Sequence, residues 1–273
     1  YPDFSSAMNN MAWNLYSEGL GKLDEALILN QAASRVDPGR FGSLASEHYF
    51  WSSLGDFESA QSVYPKMEAL DAQNELLPRV RARLARLQGR YAASKEEGLF
   101  LARKTNSRDA QRGAFDILAK SGAFEQAREI LSKFGPEYFE PEQWPDILNE
   151  GDDNACIVGL TLIRTGDEEL GNDLLTYAAN YWEQTAPLYI LHADRYPGWE
   201  CFAYFGEVEK SLDALEISLE HQHVLRNWLL IVANPELRIL REHPRFAAMD
   251  EKARAELKRQ RDHLAQLEAG GSL

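Results

Sequence analysis

Two cysteines, six histidines, many carboxylates and a cluster of arginines are the side chains of this sequence that could do chemistry. His221 and His223 stand two residues apart, which on a helix separates them by roughly 200°, so they cannot share a metal ion. Both read as exposed helix-end residues. His48 precedes Tyr49-Phe50-Trp51 and reads as a packed histidine. Cys156 and Cys201 exclude a disulfide scaffold and a four-cysteine zinc site. They are expected to be small buried core residues rather than a disulfide or a nucleophile, since no His–Asp pair is offset to activate either. Glu96-Glu97, Asp152-Asp153 and Glu168-Glu169 are adjacent pairs, and adjacent helical residues point about 100° apart, so solvated faces explain them. There is no P-loop, no Gly-x-Gly-x-x-Gly after a strand, no His-Glu-x-x-His and no Gly-x-Ser-x-Gly. The sequence predicts no catalytic residue, no metal site and no cofactor; it does not read as an enzyme.

The feature that stands out is basic. Arg79, Arg81, Arg83, Arg86 and Arg90 crowd one short stretch of a protein with 43 acidic and 29 basic side chains and a formal net charge of −14. Residues i, i+4 and i+7 share a helical face, so Arg79, Arg83 and Arg86 form a stripe. Like charges stacked this way repel unless an anion lies nearby. Two sources of that anion stay open. Between Phe134 and Ile163 stand seven acidic residues (Glu137, Glu140, Glu142, Asp146, Glu150, Asp152 and Asp153) and no basic one, so this segment could fold back over the stripe. The other source is an acidic ligand from outside.

The acidity argues against direct nucleic-acid binding, which rests on clustered Lys and Arg facing phosphates. Apolar residues make up 44% of the 273, ordinary for a globular protein. The longest apolar run, Trp228 to Ala233, is six residues, far below the roughly 20 of a membrane span. The sequence opens at Tyr1 without an initiator Met or a leader. A processed product or a piece of something longer is expected, with any membrane helix or effector domain upstream.

The elements that must position these residues come from an internal repeat. Six glycines, Gly21, Gly55, Gly89, Gly122, Gly166 and Gly206, each follow a helical-looking stretch, at steps of 34, 34, 33, 44 and 40 residues. Five residues after each stands a small one: Ala26, Ala60, Ser94, Ala127, Gly171 and Ser211. This is the pattern of a helical hairpin. Glycine supplies the left-handed turn that ends the first helix, and the small residue lets the second helix cross it closely. Residues 134–151 and 181–199 are inserted, rich in Pro and aromatics, and read as ordered loops or short helices. A charged helix at about 245–268 closes the sequence.

The 34-residue period, with Gly21, Ala26, Ala33 and Pro38 in the first unit and Gly55, Ala60 and Tyr64 in the second, resembles the tetratricopeptide repeat family. That resemblance implies an all-α fold, a right-handed α-solenoid of helical hairpins with a C-terminal capping helix. It implies one superhelical domain over 1–273: regular repeats at about 5–135, divergent repeats and insertions over 136–233, and a cap at 234–273. In that family the concave groove binds protein or peptide. The groove positions fall on Arg79, Arg83 and Arg86, on Arg112 and Lys120 in the fourth unit, on Arg164 in the fifth, and on Tyr49, Tyr196 and Tyr204. An acidic protein or peptide partner is expected, with self-association into a homo-oligomer as the alternative. The stretch Asn234 to Phe246 is similar to the end of repeat regions in bacterial signalling proteins, among them membrane-anchored winged-helix transcription regulators and class III adenylate cyclases. This implies a bacterial regulatory protein, its repeats outside the cytoplasm (periplasmic) with a cytoplasmic location as the alternative.

Overall fold

A computed structural model describes residues 2–104, 107–149, 154–189, 198–222 and 224–270. All regular structure among the described residues is helical. The chain runs α1 (Pro2–Met11), continued by a π-helical stretch Ala12–Gly19, then α2 (Leu23–Val36), α3 (Phe41–Leu54), α4 (Phe57–Ser62) and α5 (Tyr64–Asp71). Next come α6 (Leu76–Leu87), α7 (Tyr91–Lys104), α8 (Arg108–Ala119), α9 (Phe124–Phe134) and α10 (Trp144–Asn149). The rest is α11 (Ala155–Arg164), α12 (Glu168–Tyr189), α13 (Gly198–Phe205), α14 (Val208–Glu220), α15 (Trp228–Ala233), α16 (Arg238–Arg241) and α17 (Pro244–Ala269). None of the described helices is long and apolar enough to cross a membrane.

Helices flanking each repeat glycine pack against each other, and each pair packs on the next. All six glycines adopt the left-handed backbone, φ between +60° and +96°, where an L side chain would be strained. The small residues five positions on are buried at the crossings: Ala26, Ala60, Ser94, Ala127 and Ser211 are 0% exposed. The fifth pair needs glycine there. A Cβ on Gly171 would lie 2.6 Å from the Gly159 carbonyl oxygen and 2.7 Å from Ile163 Cγ1, so α11 and α12 approach too closely even for Ala. In the second pair the partner helix is split into α4 and α5 at Val63, because Pro65 in the first turn of α5 cannot extend the preceding hydrogen-bond ladder.

The insertion after α9 forms two 3₁₀ turns, Pro136–Phe139 and Pro141–Gln143, and α10. Its buried anchors are Tyr138 and Trp144, the indole donating to the Tyr138 carbonyl at 3.1 Å. The second insertion departs from expectation, since α12 runs on as helix to Tyr189; 190–197 lie outside the described residues. The cysteines are also corrected. Cys156 and Cys201 are fully buried, as expected, but they form a disulfide with a Cα–Cα separation of 4.8 Å, joining α11 to α13. The repeat register sets them five positions apart, a reason to keep them separate; yet α12 is 22 residues long against 10 for α11, so the sixth pair does not stack on the fifth in the register of the earlier ones.

The C-terminal segment does more than cover α14. α17 packs on α14, α2 and α3, and α15 packs on α6. One apolar core therefore holds Leu23, Leu27, Phe50 and Leu54 from the N-terminal helices together with Leu215, Trp228, Phe246 and Leu257. Trp228 is fully buried, stacks on Phe246 at 5.4 Å and donates to Asp250 at 2.8 Å. Gln260, 0% exposed, donates to the Gly21 carbonyl at 2.9 Å and accepts from the Leu23 amide at 2.8 Å. Its neighbour Arg261 donates to the Leu54 carbonyl, and His263 meets Asp24 at 2.7 Å. The first turn itself abuts the far end of the repeats, where a Cβ on Gly21 would strike the Gln222 backbone.

Two stability changes follow. Gly171→Ala, the residue that three other pairs carry at this place, should cost about 1–3 kcal/mol by overpacking, read as a lower urea midpoint at unchanged slope. Gln260→Leu, of similar volume, leaves a buried amide and a buried carbonyl unpaired and should cost about 1–3 kcal/mol for each. An unchanged midpoint would show that α17 is not anchored there.

Candidate functional site

The stripe on α6 faces a chamber of about 710 Å³. α6 is built to do this: Leu77, Val80 and Leu84 go into the core, while Arg79, Arg83 and Arg86 follow each other along the adjoining face. Arg112 and Lys120 from α8 and Tyr49 from α3 line the same space. Six of the residues singled out from the sequence thus share one wall system. Tyr196 lies outside the described residues. Arg164 is not a lining residue; it pairs with Glu236 at 2.5 Å, tying the end of α11 to the turn Pro235–Leu237. Tyr204 also stands behind the wall and donates to Glu200 at 2.7 Å. Burial, then the Glu200 carboxylate, push its pKa well above the ordinary tyrosine value, so the hydroxyl stays protonated.

The three stripe arginines have different surroundings. Arg83, 7% exposed, is saturated by neutral acceptors. Its guanidinium donates to Ser53 Oγ and the Arg226 carbonyl, both at 2.9 Å, and to Ser52 Oγ at 3.2 Å. It also lies 3.8 Å over the Tyr49 ring, while the Tyr49 hydroxyl donates to Asn227 at 2.9 Å. Burial lowers the Arg83 pKa from its ordinary value. It welds α3 and α6 to the C-terminal segment. Arg79 lies flat on α8 and donates to the Asp109 carbonyl; a Cβ at Gly113 would lie 2.7 Å from its Cζ, so the glycine makes that space.

Arg86 is the exception. It is 8% exposed, and its Nε, like that of Arg79, is buried without a hydrogen-bond partner among the described residues. Unlike Arg79 and Arg83 it meets no carbonyl or hydroxyl among them; the carboxylate beside it, Asp116, is 3.8 Å away. Asp116 is already engaged by Lys120 at 2.6 Å. Burial alone would raise the Asp116 pKa, but Lys120, Arg86 and Arg79 together hold it below the ordinary carboxylate value. Burial likewise opposes the Lys120 charge, and Asp116 and Glu200 outweigh it, raising its pKa. Among the described residues, five cationic side chains and three anionic ones (Asp109, Asp116 and Glu200) line the chamber.

Of the acidic segment, Glu150, Asp152 and Asp153 lie outside the described residues, and Asn154, which follows them, lines the chamber. Among the described residues of 134–149, Glu137 pairs with Arg108 and Glu140 with Gln143, and the anchors Tyr138 and Trp144 hold the segment against α9 and α12. The described groups that close on the stripe come from Asn227 and Arg226, along with Ala233, whose carbonyl accepts from Tyr91. Sequence reading missed these, and also Trp13 and Trp199 in the chamber wall. Only Asp116 carried a signal, four residues before Lys120. His48 is fully buried beside Tyr64, and burial, then Arg83, lower its pKa to about 3, so it is neutral and structural. His221 is exposed at the end of α14; His223 lies outside the described residues. No arrangement of three or more His, Cys, Asp or Glu among the described residues could hold a metal ion. No protein-family model and no curated protein matches this chain.

The contrast along the stripe separates structure from recognition. Arg83→Ala removes charge-assisted bonds to four partners and should lower unfolding stability by at least about 2 kcal/mol. Arg86→Ala removes a buried charge with no hydrogen bond and should leave stability equal or higher. Equal losses in chemical denaturation would mean that Arg86 is held by the fold after all.

Proposed function

We propose that this chain is a non-catalytic recognition domain of a bacterial regulatory protein, a right-handed superhelix of tetratricopeptide-like hairpins whose concave side binds an acidic protein or peptide. The hairpin reading is supported by six left-handed glycines at the repeat positions and by buried small residues at the crossings. The observation that carries the binding reading is Arg86: a guanidinium more than nine-tenths buried, lining a chamber, its Nε without a hydrogen-bond partner among the described residues and its ion-pair partner Asp116 3.8 Å away and shared with Lys120. Leaving a buried charge so poorly met is costly, and a ligand carboxylate would meet it with two parallel bonds. The Cys156–Cys201 disulfide supports an oxidising, extracytoplasmic setting, where such bonds persist.

Calorimetry against acidic peptides and their amide counterparts, Glu to Gln and Asp to Asn, tests the reading. Acidic peptides should bind, with affinity falling as salt rises, and Arg86→Gln should weaken them at least tenfold. If amide counterparts bind as well as the acids, recognition of acidic partners fails.

A further inference from the structure

Resting on the reading of the chamber as an anion-binding site, the geometry points to the class of ligand: we infer that the chamber takes a small organic acid, one carboxylate on a flat apolar body, rather than a chain threaded along an open groove. The walls differ in chemistry. α6 and α8 bring the cations Arg79, Arg86, Arg112 and Lys120. The other elements bring Trp13 from the π-helical stretch, Tyr49 from α3, Trp199 from α13, and Leu230, Ile231 and Leu237 from the C-terminal segment. A guanidinium fork matches a planar carboxylate, and the aromatic and aliphatic side chains of the same lining suit an apolar ring. At about 710 Å³ the space falls in the range of sites for small organic ligands, roughly 300–1,000 Å³.

Closure bears on the same point. The segment Asn227–Leu237 lines the chamber and is fastened at four places: Asn227 to Tyr49, the Arg226 carbonyl to Arg83, the Ala233 carbonyl to Tyr91, and Glu236 to Arg164. Behind it α17 is anchored on α2 and α3. A peptide running the length of the concave side would have to displace these bonds. A compact acid fits between them, and so does a single acidic side chain with an apolar neighbour on the tip of a peptide loop.

Calorimetry on the full chain with 1-naphthaleneacetate, its neutral isostere 1-naphthaleneacetamide, and a capped acidic peptide separates the sources. The acetate should bind at least tenfold more tightly than the amide. Arg86→Gln should erase that difference, and Trp13→Ala should weaken both compounds, with an unchanged circular dichroism spectrum and melt confirming the fold. Equal binding of acid and amide overturns the inference. So does binding of the acidic peptide without the naphthyl acid, which leaves the recognition reading standing. If neither the acid nor the peptide binds, both fall together; if both bind and compete, the shared carboxylate site is established for either source.

Discussion

Gln260 and Arg261, neighbours on one turn of α17, hold the two ends of this chain together. A helix leaves its last carbonyls and first amides without partners, and burying them unpaired is costly. Gln260 meets the carbonyl of Gly21 and the amide of Leu23, at the turn between the first two helices; Arg261 meets the carbonyl of Leu54 at the end of α3. Two successive turns of the repeat are thus completed by a helix more than 200 residues away. The apolar core beneath, with Leu23 and Phe50 beside Trp228 and Phe246, forms only when α17 is seated. The chamber depends on the same contact, because the segment that closes it leads into α17.

Charge is distributed against the composition. A chain of net charge −14 would be expected to keep isolated cations at its surface, where carboxylates and water solvate them. Here Arg83 and Arg86 are among the most buried polar groups. The first is satisfied without any anion, by two serine hydroxyls, a carbonyl and an aromatic face, which spread a delocalised charge over neutral dipoles. The second faces Asp116, a carboxylate already claimed by Lys120. In a medium of low effective dielectric that imbalance is felt strongly. Arg83 is therefore a structural cation and Arg86 an unfulfilled one, about 60° apart around the helix.

What could be read in the sequence was what the chain repeats. A recurring glycine, a small residue five positions later and three arginines on one helical face are local signals, and the described helices carry all of them. The closure was not legible. Gln260 is one polar residue in a charged helix, and nothing local marks it as the partner of a turn 239 positions away. The disulfide was missed for a related reason: aligning Cys156 and Cys201 by repeat position assumed uniform stacking, and the long α12 breaks it. In the acidic stretch after Phe134 the anchors Tyr138 and Trp144 place the described part of the segment, while Asp152 and Asp153 lie outside the described residues. Trp13, Trp199 and Asn227 belong to the chamber through tertiary closure alone.

The placement of the chamber between the two ends of the chain has a thermodynamic consequence. Its lining runs from Asn9 to Leu237, so an occupant that touches both the N-terminal aromatics and the C-terminal segment gains those contacts only in the closed arrangement. Its binding free energy and that of seating α17 are then linked, and each strengthens the other by the same factor. An occupant held by α6 and α8 alone would bind open and closed forms equally and could shift nothing, however tightly it bound. The apolar wall, rather than the cationic one, is what would let this fold convert occupancy into a change at its C-terminal helix. On that reading the cations would decide what enters, and Trp13, Leu230 and Ile231 whether its arrival is felt.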